Sequence, residues 1–305
     1  MSAGNYLTPK EIAETTVLNG IKKVDLPIGK MIVLGILAGV FIAFASEGSN
    51  MAAFNLLAKP ETYGLGKALA GAIFGTGLML VVVAGAELFT GNTMIIAGVL
   101  DRKVKISAML KNWAFVYLGN LIGSIFLAYM MTKSGLFSSG DSMLGGITIK
   151  IAAYKVGLTF GQAFYLGIMC NWLVCLAVWM AAGAKDIAGK LLAIFFPIWL
   201  FITSGFEHCV ANMYYIPAGI MAKGTTGWVD AALKLGITPE KLAHLNWSGF
   251  IIHNLVPVTL GNIVGGGLFV GVVYWYVYLR NGNEELTNKA WQEVQEDNLS
   301  ENVLR

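Results

Sequence analysis

Six stretches of the chain, residues 27–45, 67–100, 110–132, 160–182, 191–221 and 248–279, are apolar over lengths that match a bilayer. About 20 residues of helix cross the roughly 30 Å of hydrocarbon, and backbone groups at that depth must find partners within the chain. Runs this long, rich in Gly and Ala, meet that demand as helices and not as the short alternating strands of a barrel. Of the 305 residues, 56% are hydrophobic and 13% charged, which excludes an ordinary soluble domain. The expected fold is an all-α integral membrane protein with six transmembrane helices.

The flanks are polar. Residues 1–26 have no short apolar core followed by a small-residue cleavage site, so no signal peptide is expected. Thr8, Pro9 and Glu11 instead predict the start of an amphipathic helix, with Ile12, Val17, Leu18, Ile21 and Val24 roughly on one face. That helix lies at the membrane surface, either as a solvated leader or as a cover over the cytoplasmic mouth. Arg102, Lys103 and Lys105, crowded into the short connector after the second span, place both termini in the cytoplasm. Residues 281–305 form an acidic cytoplasmic tail, with Glu284, Glu285, Glu293, Glu296, Asp297 and Glu301 against Lys289 and Arg305.

Between the flanks the chain repeats itself. Leu34-Gly35-Ile36 returns as Leu166-Gly167-Ile168, Gly85-Ala86-Glu87 as Gly205-Phe206-Glu207, and Gly119-Asn120-Leu121-Ile122-Gly123 as Gly261-Asn262-Ile263-Val264-Gly265, in the same order. Three spans per half, an odd number, oblige the second copy to enter from the opposite side. The six-helix domain, 27–280, is therefore read as two inverted repeats, 27–133 and 160–280, with any substrate path between them near the midplane. Spans two and five are too long for one straight crossing. Each holds polar residues in its middle, through Glu87 and Asn92 in one and through Glu207, His208 and Asn212 in the other. Broken helices are expected there, aiming positive half-helix ends at an anion.

Charged groups at membrane depth cost about 2.5–3.5 kcal/mol on insertion scales, so Glu87 and Glu207 need partners. Their matched positions favour a structural role, accepting the N–H groups freed at each break. His208 has Leu88 as its counterpart, and a lone polar group at a pseudo-symmetric point suggests a specific task.

These motifs resemble those of the formate/nitrite transporter family. Gly85-Ala86-Glu87-Leu88-Phe89-Thr90-Gly91 is similar to the family's first signature and Gly167-Ile168-Met169-Cys170-Asn171-Trp172-Leu173-Val174-Cys175-Leu176-Ala177 to its second. The likeness runs on through Phe206-Glu207-His208-Cys209-Val210-Ala211-Asn212-Met213 and Pro257-Val258-Thr259-Leu260-Gly261-Asn262. The resemblance implies a homopentameric channel of aquaporin-like fold in the bacterial inner membrane, embedded in lipid, carrying a small monovalent anion and needing no cofactor. It implies that Thr90 and His208 form a central polar pair between apolar constrictions at Phe74, Leu78, Leu88 and Phe201. Asn171 and Asn262 are then expected to offer donors along the route, and Lys155 to gather anions at a periplasmic vestibule. Small residues such as Gly35, Gly39, Gly71 and Gly75 would suit close helix contacts.

An anion entering an apolar constriction meets a barrier of many kcal/mol unless its charge is paired or removed. A proton shared at His208 and Thr90 removes it, because histidine exchanges protons near neutral pH. Enzymes are a poor alternative: the sequence has no His-Glu-x-x-His and no Gly-x-Ser-x-Gly. His208, His244 and His253 lack metal-ligand spacing, Cys170, Cys175 and Cys209 all lie within spans, and no nucleic-acid partner is expected. A neutral-solute pore would carry paired Asn-Pro-Ala boxes, which are absent. Nitrite, hydrosulfide, acetate and lactate remain alternatives to formate, which the run Ile251-Ile252-His253-Asn254-Leu255-Val256-Pro257-Val258-Thr259 favours by analogy.

Overall fold

The computed structural model describes Gly4 and residues 6–280; the acidic tail expected at 281–305 lies outside the described residues. The chain runs from α1 (Pro9–Val24) through α2 (Ile28–Leu57), α3 (Pro60–Gly85), α4 (Phe89–Leu100) and α5 (Ile106–Lys133) to α6 (Met143–Val156). It continues as α7 (Phe160–Gly183), α8 (Ile187–Ser204), α9 (Cys209–Ala222), α10 (Thr226–Lys234), α11 (Pro239–His244) and α12 (Gly249–Tyr278). Six of these, α2, α3, α5, α7, α8 and α12, are long and apolar enough to cross a membrane. Their outward residues, among them Val33, Phe44, Phe126, Phe196, Leu200 and Val277, are large and apolar, as a lipid-facing surface requires.

Glycine sets the spacing of the bundle. A Cβ on Gly39 or Gly123 would run into the backbone carbonyls of Asn120 and Ile36, which locks α2 against α5. Gly261 and Gly265 do the same against Phe164 and Ile168, locking α12 against α7. Close backbone approach of this kind is what drives association where lipid removes any hydrophobic gain. Gly71 faces Trp199 and Thr203 of α8. Gly35, Gly39 and Gly71 are therefore used inside the protomer, so they lend no support to subunit contacts.

Parts of the fold depart from the sequence reading. The hydropathy pattern ends the first span at residue 45, but α2 continues to Leu57 with Ser46, Glu47, Ser49 and Asn50 buried. Three of them find partners inside the bundle: Ser46 donates to Ile42, Ser49 to Ala45 and Ala70, and Tyr214 of α9 donates to Glu47. The connection before span four holds α6, whose Leu144, Ile147, Ile149 and Ala152 are fully buried. At 14 residues it is too short for a crossing, which is why span lengths give no sign of it. In the same way the connection between spans five and six, which hydropathy leaves unassigned, contains α10 and α11.

The leading helix forms with the predicted cap. Thr8 Oγ1 accepts from Glu11 N–H while the Glu11 carboxylate accepts from Thr8 N–H at 2.6 Å, which holds Glu11 below the usual carboxylate range. Ile12, Ala13 and Val17 are buried with Met94, Ala97 and Trp179, whereas Leu18 points outward. α1 is thus docked on α4 and α7.

Candidate functional site

The helical ladder stops at Gly85 and again at Ser204. Gly85 and Gly205 take φ of +90° and +80°, a left-handed turn that a residue with a Cβ resists. Three residues, Ala86 to Leu88, separate α3 from α4, and four, Gly205 to His208, separate α8 from α9.

Each break is tied down by the same set of bonds. Glu87 N–H donates to the Leu34 carbonyl at 3.2 Å and Glu207 N–H to the Leu166 carbonyl at 3.3 Å. Asn120 Oδ1 accepts from Phe89 N–H, and Asn262 Oδ1 accepts from Cys209 N–H, both at 2.9 Å. The Asn120 amide donates to Gly35 and Glu87 carbonyls, and the Asn262 amide to those of Gly167 and Glu207. The freed N–H groups of Glu87 and Glu207 are thus caught by the Leu34 and Leu166 carbonyls, and those of Phe89 and Cys209 by Asn120 and Asn262. They do not go to the carboxylates, as the sequence reading expects, and Asn262 has no donor left to offer a passing anion.

The carboxylates have other partners. Glu87 pairs with Lys23 at 2.8 Å and accepts from Asn92 at 2.7 Å. Glu207 pairs with Lys155 at 2.7 Å and accepts from Asn212 at 2.6 Å and Asn254 at 3.2 Å. Asn112 and Asn254 complete each cluster by donating to the carbonyls of Lys23 and Lys155. Lys155 does not stand at an open vestibule, where the resemblance puts it; its side chain is only 11% exposed and its charge is neutralised by Glu207. Lys23 is a site residue that the sequence reading misses, although it precedes Leu34 by 34 − 23 = 11 residues as Lys155 precedes Leu166 by 166 − 155 = 11. The matching bonds extend the correspondence to α1 and α6, one element earlier than residues 27 and 160.

Where the two clusters meet, the halves differ. His208 sits at the N-cap of α9, and its Nδ1 accepts from Ala211 N–H at 3.0 Å. An acceptor Nδ1 places the ring proton of neutral imidazole on Nε2. Nε2 lies 3.0 Å from Thr90 Oγ1, so the hydroxyl oxygen accepts and the Thr90 O–H is left to donate elsewhere. Thr90 is held in turn: its carbonyl accepts from Asn171 at 3.1 Å, Cys175 at 3.3 Å and Thr93 at 2.7 Å. Asn171 also donates to the Asn262 carbonyl at 2.7 Å. Its two amide hydrogens are occupied, and it positions Thr90 instead of offering a free donor.

Apolar groups surround this pair. Phe201 stacks on His208 with centroids 6.1 Å apart, and Phe74 meets Phe201 edge-on at 5.6 Å. Phe74, Leu78, Leu88 and Phe201 are all at most 3% exposed. Beside the first break a cavity of about 690 Å³ opens between α1, α3 and α7, its wall including Lys22, Lys23, Glu87, Leu78, Leu88 and Lys190.

Known proteins share this architecture. Residues 10–276 match the family described as formate/nitrite transporter. A probable formate transporter of Methanothermobacter thermautotrophicus is 40% identical over 290 residues, covering 90% of this chain and 98% of the relative. The formate channel FocA of Escherichia coli K12 is 37% identical over 279 residues, covering 92% and 97%. Among solved structures, a pentameric formate channel with formate bound superimposes with a TM-score of 0.72 at 41% identity, over 83% of this chain and 98% of that one. The relatives are transporters and channels and not enzymes, and the chain belongs to the formate/nitrite transporter family.

Proposed function

We propose that the protein passes small monovalent anions, formate foremost, through a path that crosses between its two inverted halves at Thr90 and His208. The observation that carries this reading is the contact of Thr90 Oγ1 with His208 Nε2 at 3.0 Å inside an apolar collar. The names of relatives at 37–41% identity support formate as the substrate, with nitrite or hydrosulfide as the alternatives. The pentameric state of the solved relative supports a homopentamer. We place the protein in the inner membrane of a bacterium, both termini cytoplasmic, with α1 and the cavity on the cytoplasmic side.

The chemistry follows from the donor order. His208 Nε2–H donates to Thr90, which leaves the Thr90 hydroxyl proton directed at whatever enters the collar. A carboxylate there gains a polarised O–H donor in place of lost water, a charge-assisted bond of about 1.5–3 kcal/mol. That falls short of the dehydration cost of a bare anion. A proton arriving at Nδ1 displaces the Ala211 N–H and makes the ring an imidazolium, which can pass its Nε2 proton through Thr90 to the anion. The weak acid then crosses Phe74, Leu78, Leu88 and Phe201 as a neutral molecule.

Uptake of formate, nitrite and hydrosulfide into proteoliposomes tests this, compared at about pH 5.5 and about pH 7.5, on either side of the free histidine pKa of about 6.5. Saturable uptake that is faster in acid is expected. Uptake no faster than into empty liposomes for all three anions would overturn the assignment.

A further inference from the structure

Each break has an ion pair, and by each stands a further lysine that the pair does not use. At the first break it is Lys190 of α8, on the wall of the cavity, with its ammonium donating to the Ala181 carbonyl at 2.9 Å. At the second it is Lys67 of α3. A Cβ placed on Gly205 would lie 3.9 Å from Lys67 Nζ, so the ammonium rests against the backbone of the break itself. The ion pair at this break is Lys155 with Glu207, whose opposite charges meet at 2.7 Å. Among the described residues no hydrogen bond or ion pair holds Lys67, which leaves an unpaired ammonium beside the second break. An unpaired ammonium within a spanning helix is costly and marks a path for ions or substrate.

Its place on α3 gives the charge a direction. Lys67, Gly71, Phe74 and Leu78 follow at helical spacing and form one stripe. Gly71 lets Trp199 and Thr203 of α8 pack against that stripe, and Phe74 meets Phe201, the ring that stacks on His208. Lys67 lies two turns, about 10 Å, from Phe74 along the helix. Resting on the transport reading above, we propose that Lys67 is the receiving site for the small carboxylate at the mouth beside the second break. It holds the anion by charge before it meets Phe74 and Phe201. Lys155, in this view, fixes Glu207 and the break.

The test is initial formate uptake against concentration in proteoliposomes of wild type, K67M, K67Q and K67R, each first checked for unchanged elution on gel filtration. Loss of one charge near an anion at a partly hydrated mouth should raise the half-saturating concentration about 5-fold, with the maximal rate nearly unchanged and K67R close to wild type. Wild-type half-saturation in both K67M and K67Q would overturn the proposal. So would impairment of K67R equal to that of K67M, since that is the mark of packing and not of charge. A wild type that moves no formate sinks the transport reading first and this one with it, whereas the variants alone decide Lys67 once the wild type transports.

Discussion

Beyond the first break the chain reads Leu88-Phe89-Thr90, and beyond the second His208-Cys209-Val210. Around both sequences the supports are alike: a lysine–glutamate pair, an asparagine that catches the first helical N–H, and a second asparagine pair behind it. At the centre, however, imidazole stands where the other half has leucine, hydroxyl where the other has valine, and Asn171 where the other has Gly39. The repeated groups hold open a break in two helices; the unrepeated groups meet at one point, and it is to that point that the proposed passage assigns its chemistry. Pseudo-symmetry thus separates the scaffold from the proposed site more sharply than polarity does, because Asn262, Lys155 and Glu207 are as polar as His208 yet are committed to their own backbone and to each other.

Erasing the asymmetry challenges this contrast most severely. His208→Leu gives the second half the residue of the first. We expect formate uptake to fall by about 100-fold, ~2.7 kcal/mol of barrier, with unfolding in detergent shifted by only about 1 kcal/mol for the lost cap on Ala211. The scaffold is probed by Asn120→Leu and Asn262→Leu. Each strands a buried N–H and two carbonyls, so each should cost about 2–4 kcal/mol of stability, and the two losses should agree within about 1 kcal/mol if the halves are supported alike. A smaller effect separates the ion pairs. Lys155→Met leaves Glu207 unpaired at 2% side-chain exposure and should cost about 3 kcal/mol. Lys23→Met acts on a pair whose lysine is 30% exposed and should cost about 1 kcal/mol. Equal losses for the two lysines would mean that burial does not distinguish the mouths.

Much of this scaffold is legible in the amino-acid sequence. Length and apolarity locate the spans, and the recurrence of Leu-Gly-Ile, Gly-x-Glu and Gly-Asn locates the equivalent parts. What the pattern withholds is bonding. Asn120 sits inside a motif that is recognisable as a repeat, but only the fold brings its amide within 2.9 Å of Phe89 N–H. Lys23 looks like one more charge on a polar leader until α1 docks and sets it against Glu87, 64 residues away. Glu47 and Asn50 look like the end of a span, because the tyrosine that meets Glu47 comes from the other half of the sequence. The helix α6 escapes since a 14-residue apolar run fits no membrane-crossing length. In each case the missing information is a long-range partner, which hydropathy and spacing do not carry.

Proton sharing at the centre is tested most directly by the number of protons that enter with each formate ion. Proteoliposomes loaded with a pH-reporting dye would be given labelled formate at acid pH, and lumenal acidification and label uptake would be followed together against empty vesicles. Sharing of a proton at His208 and Thr90 predicts about one proton per formate, with both signals lost together in His208→Leu. Formate entry that carries current and leaves the lumenal pH unchanged would contradict it, because the bare anion would then be crossing the collar.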